Sequence, residues 1–412
     1  MRTIITLVVF LVIGFVGSRG YVRRATHRLP LSGLLASGTE FFILGILAGP
    51  HGFNLITFAV IRDLEPIIAL TLGWIGLLFG IEMSWDHIRR ISRDVFRFLL
   101  IDAAASLTIF SLLMFFIINA IWPGHIAESA MGALIFGITA SVSSPMIIAL
   151  VSHRLPARGP LTNTMKIAGA LSALFPLLAF GILFTLINPG ISLQGVGSGL
   201  LWWVFVNVVG IVLGFVMVLF THERTSDDEM LLLITGTVFL IGGLCYFLQL
   251  SSLYTAMIMG LVVGNFARRR DQVFRELHVI EKTVFLAFLL IVGALVSLPS
   301  LGAIAVILSY VLLRLLLKYV VTGTAAVQRF PELRRHGRRT GLVLSGQGAM
   351  AMAIALDFDL ASTGFTMFSP LTVVAFAVII NDIVGYAITR RVLIATGEAS
   401  RGVVVERGGE ET

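Results

Sequence analysis

Hydroxyl and carboxylate side chains set inside long apolar runs are the groups of this sequence that could do chemistry. The stretch GITASVSSPMII, residues 137–148, places Thr139, Ser141, Ser143 and Ser144 directly before Pro145. These residue types favour turns and caps over helix interiors, so we expect a helix to break here. The hydroxyls and free backbone groups of a broken helix could coordinate a dehydrated cation; capping of the broken ends is the simpler alternative.

A second polar interruption, LSGQGAMA at residues 344–351, holds Ser345 and Gln347 among glycines, and the same two interpretations apply to it. Irregular backbone at membrane depth is tolerated only where it is buried in protein or lines a cavity. Two such interruptions therefore indicate the central site of a secondary transporter, built from paired broken helices.

Asp382 stands beside Asn381 in VIINDIVGY, in the middle of the last apolar run. An ionisable residue inside a membrane is a functional hypothesis by default, because burying it costs several kcal/mol unless it is paired. We predict that Asp382 is the titrating carrier, for which a cation and a proton compete. The alternative is a helix-packing aspartate that bonds a serine or threonine of the preceding helix or pairs with Arg314.

Four more charged residues lie within apolar runs and are candidates for charge balance: Glu40, Asp102, Arg314 and Lys318. We expect Lys318 to extend toward water at the inner end of its helix, and Asp102 to be reached by water near the same membrane face. Glu40 is expected to contact a lysine or arginine at a dimer interface or simply to form a hydrogen bond. Arg314 lies deeper, and it either neutralises a carboxylate or offers a positive site of its own.

Composition places these residues in a membrane protein. Of 412 residues, 57% are hydrophobic and 13% are charged, against about 25% charged in soluble domains. Apolar runs of the length needed to cross a bilayer recur along the chain. The sequence therefore predicts an all-α polytopic membrane protein with about thirteen transmembrane helices. The predicted spans are 3–18, 33–49, 64–83, 95–120, 129–152, 161–188, 200–221, 229–249, 251–266, 280–298, 300–322, 340–358 and 369–393.

Charge in the loops orients these spans. Arginines cluster in alternate loops, and the intervening loops contain only Arg62. The positive-inside rule makes the arginine-rich loops cytoplasmic, so we expect the N-terminus outside and the C-terminus in the cytoplasm of a protein of the cell (inner) membrane. The first run is expected to be retained rather than cleaved as a signal peptide, because its positive cluster follows the apolar run.

The two interruptions also indicate an inverted repeat. They fall in the fifth and twelfth spans, which are seven spans apart and run in opposite directions. Gly45 and Gly49 in the second span are matched by Gly260 and Gly264 in the ninth, a spacing that allows close helix approach. We predict a first repeat over residues 1–190, a linker helix over 191–227, a second repeat over 228–395 and a short cytoplasmic tail over 396–412.

Three stretches then resemble a known family: FFILGILAGPHGFNLI (41–56), LGWIGLLFGIEMSWDHIRR (72–90) and RRTGLVLSGQGAMAMAIAL (338–356). They resemble the monovalent cation:proton antiporter superfamily, especially its Kef-type potassium-efflux branch. The resemblance implies the Na⁺/H⁺ antiporter fold with two crossing broken helices. It also implies a homodimer, with a panel-like dimerisation domain and a mobile core, that exchanges Na⁺ or K⁺ for protons by alternating access.

The sequence departs from that family where the family carries its acid. Ser143-Ser144-Pro145 stands where the broken helix has Thr-Asp or a polar variant. The next helix of the family carries Asn-Asp, Asp-Asp or Gln-Asp, and alignment by spacing puts Ser172-Ala173 there, with Ala173 at the essential carboxylate. Ser172 thereby joins the candidate ion-site residues. Asp382 lies in the symmetry-related helix and could substitute for the missing acid.

Two alternatives stay open because of this departure. The chain could have the antiporter fold without cation exchange, as a sensor, a scaffold or a subunit for an unknown membrane-protein partner. It could also carry an anion or small solute, since Arg314 and two helix N-termini would suit negative charge.

Other function classes find little support in the residues. Cys245 is the only cysteine, so neither a disulfide framework nor a cysteine metal site is expected. The sequence has no phosphate loop, nucleophile elbow or zinc spacing, and we expect neither an enzyme nor a bound cofactor or metal. The net charge of +7 is accounted for by the arginine-rich loops rather than by nucleic-acid binding.

Overall fold

The computed structural model describes residues 38–89, 91–187, 196–221, 227–362 and 366–399, and these residues form helices with no strand among them. Within those ranges nine helices are long and apolar enough to cross a membrane, a bent pair forms a tenth, and two shorter apolar helices accompany them. This confirms the all-α polytopic prediction. The predicted first span and most of the predicted tail lie outside the described residues, and the count of thirteen stays a prediction.

The helices of the first half alternate with short turns. They are α1 (Thr39–Ala48), α2 (Phe58–Asp63), α3 (Glu65–Glu82), α4 (Trp85–Arg89), α5 (Arg93–Ala105), a π-helical turn (Ser106–Phe110), α6 (Ser111–Ile121), α7 (Ile126–Ser141), α8 (Pro145–Arg154), α9 (Pro160–Leu171) and α10 (Leu174–Ile187).

The second half of the chain is also helical. Its helices are α11 (Val196–Phe220), α12 (Asp227–Leu248), α13 (Ser252–Phe266), α14 (Arg270–Leu295), α15 (Leu301–Leu317), a π-helical turn (Lys318–Thr322), α16 (Gly323–Arg329), a 3₁₀ segment (Pro331–Leu344), α17 (Ala349–Ala361) and α18 (Pro370–Ala395).

Helix packing separates the described helices into two groups. One, here the panel group, is α1, α3 and α11–α14, in which α3 packs on α13 and α1 on α14. The other, the core group, is α5–α10 and α15–α18, in which α17 and α15 pack on α18 and α8 packs on α9. Contacts between the groups are fewer than those within them.

Glycine permits the closest approaches within the panel group. A Cβ atom on Gly45 would lie 2.2 Å from the carbonyl oxygen of Leu290 in α14, and one on Gly260 would lie 2.4 Å from that of Leu77 in α3. No larger residue fits at these backbone contacts. The predicted close approach of the second and ninth spans to neighbouring helices is therefore confirmed at Gly45 and Gly260.

Both predicted helix breaks are present in the core group. Residues 142–144 are non-helical between α7 and α8, and Pro145 begins α8 with Ser144 as its N-cap. The 3₁₀ segment and α17 bend by 43° at the second break. The backbone N–H of Ser144 donates to the carbonyl oxygen of Gly346 at 2.9 Å, so the two breaks meet.

Candidate ion-binding site at two broken helices

Arg314 of α15 lies where the C-terminal ends of the two broken helices meet. Its Nε donates to the Ala140 carbonyl at 2.9 Å and its Nη2 to the Val142 carbonyl at 2.8 Å, while its Nη1 bonds the Ser345 carbonyl. The side chain is 1% exposed. A buried guanidinium thus satisfies carbonyls from both breaks and neutralises two negative helix ends.

Asp382 of α18 lies at the start of α17, where its negative carboxylate faces the positive N-terminal end of that helix. Its Oδ1 accepts from the backbone N–H of Gln347 at 2.8 Å and of Gly348 at 3.3 Å. A carboxylate at a helix N-terminus is stabilised by those N–H groups and by the helix dipole. The Oδ2 makes no hydrogen bond with the described residues, so one carboxylate oxygen is free to act.

A cavity of about 350 Å³ opens beside that carboxylate, between the two helix groups. The panel group contributes Thr39 and Phe42 from α1 and two residues of α14 to its wall. The core group contributes Asp382, Ser144 and Gly348, together with apolar residues of α8, α17 and α18. The N-terminal ends of α8 and α17 therefore face the same space, and Asp382 is the only carboxylate among the described residues that line it.

Gln347 connects the two breaks through its side chain. Its Nε2 donates to the Thr139 carbonyl at 2.7 Å and to the Tyr310 hydroxyl at 2.6 Å. Its Oε1 accepts from Asn381 Nδ2 at 3.1 Å. Gln347 and Asn381 therefore serve to hold the crossing rather than to line the cavity.

Ser172 contacts the first break directly. Its Oγ donates to the Ser143 carbonyl at 2.6 Å and accepts from the Ser143 N–H at 2.9 Å. The Ser143 hydroxyl in turn donates to the Leu344 carbonyl at 3.0 Å. Ser172 thus satisfies the backbone of the break, and its neighbour Ala173, where the resemblance places the acid, is a buried alanine.

Among the other predicted hydroxyl residues, some form hydrogen bonds within their own helix and one lines the cavity. Thr139 and Ser141 donate to carbonyls of their own helix, those of Ile135 and Ile138, at 2.9 and 2.7 Å. Ser144 caps α8 and lines the cavity. The Ser345 hydroxyl is buried without a hydrogen-bond partner among the described residues. Of the predicted site residues, the structure brings only Ser144 and Asp382 to the cavity.

Asp102 and Lys318 form a buried ion pair, which differs from the expectation that water reaches both. Lys318 Nζ lies 2.7 Å from Asp102 Oδ2, and Thr322 donates to Asp102 Oδ1 at 2.5 Å. The side chain of Lys318 is 2% exposed and that of Asp102 is 4% exposed. Lys318 begins one π-helical turn, and Asp102 lies four residues before the other. Because α5 packs on the turn that begins at Lys318, each charge reaches its partner instead of the membrane surface.

Glu40 lies outside this cluster, in the first turn of α1. One of its carboxylate oxygens is buried with no hydrogen-bond partner among the described residues. Its predicted role at a dimer interface stays a prediction.

Sequence reasoning missed three polar residues in the core group. Tyr310, one turn before Arg314 in α15, bonds both Thr139 and Gln347. Asp357 and Asp359 lie near the end of α17, where the predicted span 340–358 ends. Asp357 is 5% exposed and accepts from Ser251 in the panel group, whereas Asp359 accepts from Ser369 at the start of α18. The available signal for Tyr310 was its spacing of four residues from Arg314, which puts both on one face of α15.

Comparisons with known proteins agree with the fold. The chain matches the sequence model of the family described as sodium/hydrogen exchanger, transmembrane, over residues 3–391. No curated protein sequence matches it significantly.

Two solved structures of the sodium proton antiporter MjNhaP1 from Methanocaldococcus jannaschii share its fold. The structure at pH 8 is 15% identical with a TM-score of 0.65, and covers 96% of this chain and 99% of that chain. An electron-microscopy structure is 16% identical with a TM-score of 0.61, and covers 97% and 99%. The chain therefore belongs to the sodium/hydrogen exchanger family, whose members are multi-pass membrane cation/proton antiporters rather than enzymes.

Proposed function

We propose that this chain exchanges Na⁺ or K⁺ for protons by alternating access, with Asp382 as the carrier. The observation that carries the proposal is the position of Asp382. It is the one carboxylate among the described residues of a cavity that lies between two helix groups, at the crossing of two broken helices.

The free Oδ2 of Asp382 is the proposed binding atom. A cation at this oxygen and a proton on the carboxyl group exclude each other, which couples the two fluxes. The Ser144 hydroxyl, at the start of α8, belongs to a residue that lines the same cavity and offers a second oxygen ligand. Arg314 keeps its charge engaged with the helix C-termini, so it leaves Asp382 available.

The position of the cavity supports alternating access. Because its walls come from both the panel group and the core group, a shift of one group against the other closes this opening and opens the opposite side. The bound cation or proton then travels with Asp382 in the core group. One carboxylate that alternates between one cation and one proton implies one-for-one exchange.

A non-exchanging protein is the second candidate, and one observation favours it. Asp382 Oδ1 already accepts two backbone N–H bonds, which is what a purely structural cap of α17 would do. In addition, Ala173, just after α9, stands where the resemblance places the acid. In this alternative the chain serves as a scaffold, a sensor or a subunit for another membrane protein. Transport of an anion at the two helix N-termini is the third candidate.

We further propose a homodimer in the cell (inner) membrane, with the N-terminus outside and the C-terminus in the cytoplasm. Large apolar side chains on α12 point away from the protein, with Leu232 74% and Phe247 81% exposed. A second copy of the chain or lipid can cover them.

Ion flux into liposomes tests these candidates. Purified protein is reconstituted with a pH-sensitive dye inside, and gradients of Na⁺, K⁺ or Cl⁻ are imposed in turn. Exchange predicts a pH change with Na⁺ or K⁺ that disappears in Asp382→Asn, whereas Asp359→Asn, a matched change on α17, retains it. No response to any cation contradicts the proposal, and a response to Cl⁻ alone favours the anion.

A further inference from the structure

A buried carboxylate of the core group contacts the panel group away from the cavity. Asp357 Oδ2 accepts from the Ser251 hydroxyl at 2.5 Å and from the Leu253 N–H at 3.3 Å. Both partners lie at the start of α13, so the core helix α17 caps a panel helix. Asp357 and Ser251 are 5% and 1% exposed.

This contact lies at the opposite end of α17 from the cavity. Gly348, Ala349 and Met352 at the start of α17 line the cavity. Asp357 follows Ala349 by eight residues, a rise of about 12 Å along an α-helix. The two groups are therefore apart at one end of α17 and joined at the other.

A second contact closes the same end. Tyr254, one turn into α13, packs its ring against Gly181 of the core helix α10, where an added Cβ would lie 2.4 Å from the ring. The Tyr254 hydroxyl is fixed to the panel group by a 3.1 Å bond to Asn207 Oδ1. Polar and close-packed contacts thus seal the groups together around Ser251.

We propose that Asp357 and Ser251 form a reversible latch that closes the side opposite the cavity and separates in each transport cycle. The proposal rests on exchange by alternating access, as proposed above. A carboxylate suits such a latch because its hydrogen bonds in the closed state are offset by the hydration that it regains on opening. An apolar contact would lack that compensation.

Asp359 provides a matched control only two residues further along α17. Its carboxylate accepts from the Ser369 hydroxyl at 3.2 Å, and both residues belong to the core group. This contact has no reason to separate when the groups move. The two pairs therefore distinguish a moving contact from a structural one.

Cross-linking tests the latch. In a Cys245→Ala background, Ser251→Cys with Asp357→Cys is oxidised or bridged by a short bifunctional thiol reagent, and exchange is measured in liposomes. We expect at least a tenfold loss of exchange that reduction of the disulfide restores. The same treatment of Asp359→Cys with Ser369→Cys is expected to leave exchange unchanged.

The rate at which a thiol reagent labels a cysteine at position 251 provides a second measurement. A purely structural contact would give the same labelling rate with and without transport. The single variant Ser251→Cys is exposed to a membrane-impermeant thiol reagent, with and without a cation gradient. We expect labelling to rise several-fold during turnover, while labelling of Ser369→Cys stays constant.

The latch proposal is wrong if the cross-linked protein still exchanges ions, or if labelling of Ser251→Cys is the same with and without turnover. Either result leaves the proposed function standing. A wild-type chain that exchanges no ion overturns the proposed function and the latch with it.

Discussion

The buried pair of Asp102 and Lys318 yields a quantitative prediction about stability. At 2.7 Å and an effective dielectric constant of about 20, two unit charges attract by about 6 kcal/mol. Much of that attraction offsets the cost of burying both ions. Removing one partner leaves a buried charge uncompensated, which costs about 3–5 kcal/mol, whereas replacing both with apolar residues is often neutral or stabilising.

We therefore expect Lys318→Met and Asp102→Leu each to lower the free energy of unfolding by about 3–5 kcal/mol. The double variant is expected to lie within about 1 kcal/mol of wild type, because no charge is left unpaired. Equilibrium unfolding in mixed micelles, followed by tryptophan fluorescence, measures all four proteins of the cycle.

The exposed pair of Asp86 and Arg270 is the matched control. Its atoms are 2.6 Å apart, but the side chains are 55% and 31% exposed. Removing either partner is expected to cost no more than about 1 kcal/mol. Single core variants that unfold like wild type, or a double variant as unstable as the sum of the singles, would refute the reasoning.

Three further predictions concern the crossing and the cycle. Arg314→Lys is expected to cost about 3 kcal/mol in an unfolding titration, since one ammonium group cannot satisfy carbonyls from both breaks; wild-type stability would contradict this. Gly348 has φ +72°, and a Cβ there would lie 2.7 Å from the Ser144 Cβ. We thus expect Gly348→Ala to abolish liposome exchange, whereas Gly124→Ala, at φ +93° in open space, retains it. Exchange of one monovalent cation for one proton moves no net charge, so the exchange rate in liposomes is expected not to change with an imposed membrane potential. A rate that depends on the potential would indicate unequal stoichiometry.

The membrane architecture could be predicted from local features of the sequence. Apolar runs of sufficient length indicated the spans, and clusters of serine, proline and glycine indicated the two breaks. Both signals are local, because a run must cross the bilayer by itself and a proline or glycine disrupts its own helix. Asp382 was also identifiable, since a carboxylate in the middle of an apolar run requires an explanation.

Pairing between distant residues could not be predicted in the same way. Lys318 and Asp102 each lie near a charged end of a helix, which favours snorkelling when each is considered alone. Their pairing depends on how two helices more than 200 residues apart pack together. Asp357 was missed for the same reason, because its partner Ser251 belongs to the other helix group.

Proton release on cation binding tests the central claim most directly, because the claim is that a cation and a proton compete for Asp382. Purified protein in weakly buffered detergent solution is titrated with Na⁺ or K⁺ while a dye reports pH. The account predicts release of protons, with an apparent cation affinity that falls as pH is lowered, and no release from Asp382→Asn. Undiminished release from Asp382→Asn, or a folded wild-type protein that releases no protons with either cation, would contradict it.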